Sequence, residues 1–146
     1  MAGAGSSALA AGPSPRIATE AEFKAALVGK TVLINDPVTS LNGRIAQDAL
    51  AKPGYERVTV RPTASSASNL ARSDADYVLT VLPEELTVAG LKLIGEVPAE
   101  LGLKIDFGGG VIIKARNVAL AQEFLAFLAG PEAQAVWKAG GVAPAN

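Results

Sequence analysis

Thr31-Val32-Leu33-Ile34-Asn35-Asp36-Pro37-Val38-Thr39-Ser40-Leu41-Asn42-Gly43 joins two different hydrophobic patterns. Thr31 to Ile34 is a short apolar, β-branched run, the mark of a buried strand. Beyond the loop, Ile45, Ala46, Ala49 and Leu50 recur at helical spacing. Pro37 ends the strand, and Thr39 or Ser40 caps a helix from about Ser40 to Ala51, which Pro53-Gly54 stops. Strand, loop and helix N-terminus make half of an anion site. The first helical N–H groups lack intrahelical acceptors, and the helix dipole adds partial positive charge there. The hydroxyls of Thr39 and Ser40 add donors. An ordinary βα turn with a good cap uses the same residues, so this stretch alone leaves both readings open.

Towards the N-terminus, Thr19-Glu20-Ala21-Glu22 is a capping box ahead of Phe23, Ala26 and Leu27, which share one face. It predicts a short helix closed near Gly29. Met1 to Ala11 is Gly, Ala and Ser with one Leu, without the basic or apolar regions of a signal peptide. Residues 1–16 are expected to be a flexible lead.

Towards the C-terminus, Glu56 to Val60 alternates as a strand does, with Arg61-Pro62 ending it. Thr63-Ala64-Ser65-Ser66-Ala67-Ser68-Asn69 is a second hydroxyl-rich entry to a short helix, over about 64–72, or else a polar surface loop. Tyr77 to Leu82 is a continuous apolar run, as in a central parallel strand. Pro83-Glu84-Glu85-Leu86 opens one helical turn, and its adjacent acids read as a solvated helix start. Leu91 to Ile94 is another short strand. Leu103 to Ile113 is strand-like, interrupted by Gly108-Gly109-Gly110. No phosphate-loop pattern surrounds these glycines. Asn117 caps an amphipathic helix holding Leu120, Phe124, Leu125, Phe127 and Leu128, and Gly130-Pro131 ends it. A last helix, Glu132 to Ala139, carries Val136 and Trp137.

The predicted order is α, β, α, β, α, β, β, β, α, α. Strands alternating with helices predict an α/β fold, a parallel-rich sheet flanked by helices. Ligands in such sheets sit at the carboxyl ends of strands. Both hydroxyl-rich loops leave strands at that end, so the predicted ligand-binding residues are Thr39, Ser40, Asn42, Thr63, Ser65 and Ser66.

The totals bound the chemistry. A chain of 146 residues, 49% hydrophobic and 18% charged, has room for a real core. Net charge −1 argues against a nucleic-acid binder. With no Cys and no His, thiol chemistry, disulfides and a Ser-His-Asp triad are excluded, and a metal would need carboxylates alone. No cofactor is expected. No apolar run is long enough to span a membrane.

Several segments resemble molybdate-type periplasmic solute-binding proteins, which have the type II periplasmic-binding fold. Val32 to Pro37 with Gly43 to Leu50 resembles the start of their second lobe. Ala71 to Tyr77 resembles the segment before their central strand, and Leu93 to Leu101 a later turn. Ala115-Arg116-Asn117 with Ala121 to Gln134 resembles their C-terminal helix signature. The likeness runs from about Ile17 to Pro144, with roughly the first third of the family's chain absent. It implies two α/β lobes clamping an oxyanion, with second-lobe contacts in the 36–42 loop and at the 63–66 helix entry. Where molybdate binders tend to carry a ligand-contacting Tyr, this chain has Thr80 or Val81. Residues 17–102 would then be the ligand-binding lobe, and 103–146 a strand and helix pair that completes the other lobe.

By this resemblance the protein is not an enzyme but a binding protein of ABC-transporter type. Its ligand would be molybdate, tungstate, sulfate or phosphate, with an ABC permease as partner and a periplasmic location. Were the chain the whole gene product, it would be cytoplasmic for want of a signal peptide. The alternative is an oligomerisation or partner-binding module that has lost its small ligand. Segment 103–137, lacking its family partner strands, predicts a homo-oligomer that covers Phe124, Leu128 and Trp137.

Overall fold

The computed structural model describes residues 2–10, 17–64, 68–69, 72–86 and 88–144. Its centre is β2 (Thr31–Asn35), with β3 (Thr59–Thr63) parallel on one side and β4 (Tyr77–Val81) parallel on the other. Val32 stands beside Val60 and Tyr77, and Ile34 beside Pro62 and Leu79. β4 is buried along its whole length, which is why its sequence is a continuous apolar run. β3 begins and ends later than its alternation predicts, and it includes Arg61 and Pro62. It is the outer strand of the order β3-β2-β4-β1-β5, where a missing N–H costs no ladder bond.

The expected flexible lead is corrected over Ala2–Ala10, which form a nine-residue strand, β1. Its second half runs antiparallel between β4 and β5 (Lys92–Glu96). Its first half runs antiparallel to β6 (Lys104–Phe107) and to β7 (Val142–Pro144). One strand therefore serves two sections of sheet. Met1 and residues 11–16 of that lead lie outside the described residues.

Helix α1 (Glu20–Leu27) begins with the predicted capping box: the Glu22 N–H donates to Thr19 Oγ1, and the Thr19 N–H to the Glu22 carboxylate. Phe23 and Leu27 of α1 enter the main core with Val32, Ile34, Leu79, Ile94 and Leu101. The Tyr55 ring packs edge-on to Phe23, centroids 6.2 Å apart. Its hydroxyl is buried with no hydrogen-bond partner among the described residues, and burial pushes it up to about 12. Helix α2 (Leu41–Leu50) follows β2 and buries Ala46, Ala49 and Leu50. It comes very close to the strand: a Cβ on Gly43 would collide with the Asn35 carbonyl oxygen. The helix expected over 64–72 lies largely outside the described residues.

At the opposite end of the sheet Asp76 ties two strands. Its carboxylate accepts from the Thr31 N–H at 2.9 Å and from Lys30 Nζ at 3.0 Å. The Thr31 backbone bond, then the Lys30 ammonium, holds this carboxyl below its usual range against the cost of burial.

The strand expected over 103–113 stops at Phe107. Three consecutive glycines carry the highest backbone entropy and no side chain to pack, and the chain beyond them is irregular, with Ile112 and Ile113 exposed. Asn117 then caps α4 (Val118–Ala129), accepting from the Leu120 N–H at 3.0 Å. Gly130 ends α4 and starts α5 (Pro131–Ala139), with Pro131 in the first turn. Trp137 donates its indole N–H to the Leu128 carbonyl at 2.9 Å, so these two residues, expected to need an outside cover, meet within the helix pair. Phe124 does stay exposed.

Candidate functional site

The carboxyl ends of β2, β3 and β4 meet on one side of the sheet. The Asp36 N–H donates to the Thr63 carbonyl at 3.0 Å, which sets the 36–42 loop beside the end of β3. Asp36 organises that loop. Its carboxylate accepts from the Val38 N–H at 2.9 Å and from Thr39 Oγ1 at 3.3 Å. Its carbonyl accepts from the N–H groups of Thr39 and Ser40. This turn aims the chain into α2, where Ser40 is the N-cap and its Oγ accepts from the Gly43 N–H at 3.2 Å. A hydroxyl that accepts a cap bond still has its own proton to donate. The first-turn N–H groups of Leu41 and Asn42 have no intrahelical acceptor. Ser40 and the start of α2 are thus the donors from which an anion site can be built.

The other predicted residues fare differently. Thr39 is exposed and turned to Asp36. Thr63 is part-buried and accepts from Asn69 Nδ2 through Oγ1. Asn42 is 6% exposed, and its Nδ2 donates to Thr80 Oγ1 at 2.9 Å. It braces α2 against β4 and positions the helix end more than it faces a ligand. Ser65 and Ser66 lie outside the described residues.

A polar knot behind this loop has no counterpart among the predicted site residues except Asn42. Thr80, wholly buried in β4, donates to the Glu84 carboxylate at 2.7 Å. Glu84 also accepts from Asn35 Nδ2 at 3.2 Å. Glu84 sits on the short helix α3 (Leu82–Glu85), one turn after Thr80. Glu84 stands exposed in the first turn of α3, as a solvated helix start does, and its carboxylate also closes a network of Asn35, Asn42 and Thr80. The signal was in the sequence, as single polar residues ending or interrupting two apolar strands. Buried polar groups of this kind must find partners. Among the described residues no group of three or more carboxylates is placed to hold a metal ion.

Residues 4–143 match the sequence pattern of the bacterial extracellular solute-binding proteins. The chain belongs to that family. Solved structures give this solute-binding protein its architectural relatives. The substrate binding domain assigned to a molybdenum ABC transporter of Clostridium difficile superposes with a TM-score of 0.73 at 12% identity, covering 99% of this chain and 65% of that one. The periplasmic molybdate-binding protein of Azotobacter vinelandii gives 0.67 at 19% identity, covering 99% and 67%. At such identities the likeness is one of fold. The solute-binding protein thus spans about two thirds of the length of these relatives. No curated protein matches it.

Proposed function

We propose that this solute-binding protein takes a small oxyanion, of the molybdate, tungstate, sulfate or phosphate class, at the carboxyl end of the sheet, with Thr39, Ser40, Asn42, Thr63, Ser65 and Ser66 as the residues expected to contact it. The observation that carries the reading is the N-terminus of α2, capped by Ser40 and held beside Thr63 by the Asp36 bond. A helix start with a hydroxyl donor stabilises an anion without Lys or Arg. The nearby carboxylates of Asp36 and Glu84 already accept from Val38, Thr39, Asn35 and Thr80, which tempers their repulsion of an anion. The family and the two molybdate-related folds support the class of ligand.

In this reading residues 17–102 form the ligand lobe and 103–146 belong to a second lobe. The protein acts by binding, not by catalysis, in the periplasm, and hands its solute to an ABC permease. Among the described residues no helix is long and apolar enough to cross a membrane. A homo-oligomer is part of the reading, as a cover for the apolar segment 103–137, where Phe124 stays exposed; with one lobe alone a bound anion is half in water. Each hydrogen bond then contributes on the order of 1 kcal/mol, and affinity is roughly millimolar unless a second wall closes the cleft.

Calorimetric titration with the four oxyanions tests this. Binding should appear and weaken when Thr39 and Ser40 are both changed to Ala, with about 1 kcal/mol of stability lost with the cap. Heats indistinguishable from dilution for all four anions would overturn the oxyanion reading, and tight binding unchanged in the double variant would place the ligand elsewhere.

A further inference from the structure

We propose that Thr80 is the positioning residue of the oxyanion site: its buried hydroxyl, acting through Asn42, sets where the first turn of α2 stands and so how well the N–H groups of that turn meet the solute. This rests on the oxyanion reading above and names the residue that tunes the site from behind. Thr80 and Val81, at the end of β4, are 0% and 7% exposed, so neither side chain touches a solute. What they contribute passes through another residue. Asn42 is hydrogen-bonded to Thr80 from the helix, Nδ2 to Oγ1 at 2.9 Å.

The first turn of α2 has little else to hold it. Leu41 is 58% exposed, and Gly43 has no side chain and a helix preference second only to proline in weakness. Of the first three helical residues, only Asn42 buries a side chain. The close approach of Gly43 to the Asn35 carbonyl limits how far the helix can move inward, but it makes no side-chain bond. The cap bond from the Gly43 N–H to Ser40 Oγ lies within the turn and does not tie it to the sheet. The Asn42–Thr80 bond does. Its direction is fixed as well. A hydroxyl has one proton and two lone pairs. The Thr80 proton goes to the Glu84 carboxylate at 2.7 Å, the length of a charge-assisted bond. Thr80 Oγ1 is then left as an acceptor, for the Asn42 amide at 2.9 Å and, more weakly, the Asn35 amide at 3.4 Å. Glu84 thus holds Thr80 in the orientation that receives Asn42. In a buried chain of bonds each one strengthens the next, which gives α2 a single seat.

Shape and hydroxyl can be separated. Thr80→Val keeps the size of the side chain and loses the hydroxyl, which takes this acceptor from the Asn42 amide. Thr80→Ser keeps the hydroxyl and loses a methyl group from the interior, which costs packing. Nuclear magnetic resonance titrations with molybdate, tungstate, sulfate and phosphate should show about tenfold weaker binding in Thr80→Val, and binding within about twofold of the parent in Thr80→Ser. Without any anion, hydrogen exchange of the Gly43 N–H, measured against the N–H groups of β2, should quicken about tenfold in Thr80→Val and stay close to the parent in Thr80→Ser. Melting temperatures should not follow that order, since both variants lose stability. Affinity that falls equally in both, or that tracks melting temperature, would make Thr80 a packing residue and overturn the proposal. Unchanged affinity and exchange in folded Thr80→Val would overturn it too, and leave the oxyanion site standing. A parent protein that binds none of the four anions would overturn the oxyanion reading and the effect on affinity with it, while the exchange rates would still decide whether Thr80 seats α2. If Thr80→Val does not fold, Thr80→Ala set against Thr80→Ser makes the same comparison of hydroxyl absent and present.

Discussion

The Asp76 carboxylate shows how one side chain organises two strands in this fold. It holds the start of β2 through the Thr31 N–H and Lys30, while its own N–H donates to the Thr31 carbonyl. Because the folded group titrates below its ordinary value of 3.8, its contribution to stability is present above that value. It is lost as pH falls through the depressed folded value. Asp76→Asn should therefore be less stable at neutral pH and show a shallower loss on acidification below about pH 4 than the parent protein. Urea midpoints measured for both proteins across that range check it, and parallel curves would contradict it. At this scale the sequence was partly legible. Ser40 and the Thr19–Glu22 pair announce their roles, because a cap is local and its partner is three residues away. Asn42 and Glu84 do not, because their partner Thr80 is distant in sequence for one and hidden in an apolar run for the other.

Strand β2 and helix α2 form the element pair that carries the candidate site, and Gly43 fixes their approach. A methyl group there would run into the Asn35 carbonyl, and backbone cannot swing aside as a side chain can. Gly43→Ala should push α2 away from β2, cost about 1–3 kcal/mol, and weaken any oxyanion binding in step. Thermal melts and the same titration check it, and an unchanged melting temperature would contradict it. The apolar run 31–34 and the helical spacing after it make this pair readable from residue order alone, since both patterns are local. β1 is the opposite case. Ala, Gly and Ser have weak strand preference, so Ala2–Ala10 carry no local signal, and their strand is imposed by the partners on either side. Ile112 and Ile113 carry strong strand preference and form no strand, because the glycines before them break the ladder and no partner is at hand among the described residues.

At the level of the whole molecule the α/β class was legible, as alternation of strands and helices dictates it. The way the sections join was not. β4 and β5 flank one half of β1 while β6 and β7 flank the other, so the sheet's two sections share a strand that the sequence pattern does not mark.

The pairing of β1 also sets an order of events during synthesis. Ala2 to Ala4 lie opposite Val142 to Pro144, so residues made early wait for residues made much later before their ladder is complete. Closing contacts of such long sequence separation is slow, and domains emerge from the ribosome N-terminus first. Nascent chains stalled before residue 140 should therefore be cut within residues 2–10 by a non-specific protease that spares the released protein. Equal resistance of stalled and released chains would show that β4, β5 and β6 alone secure the strand while translation is still under way.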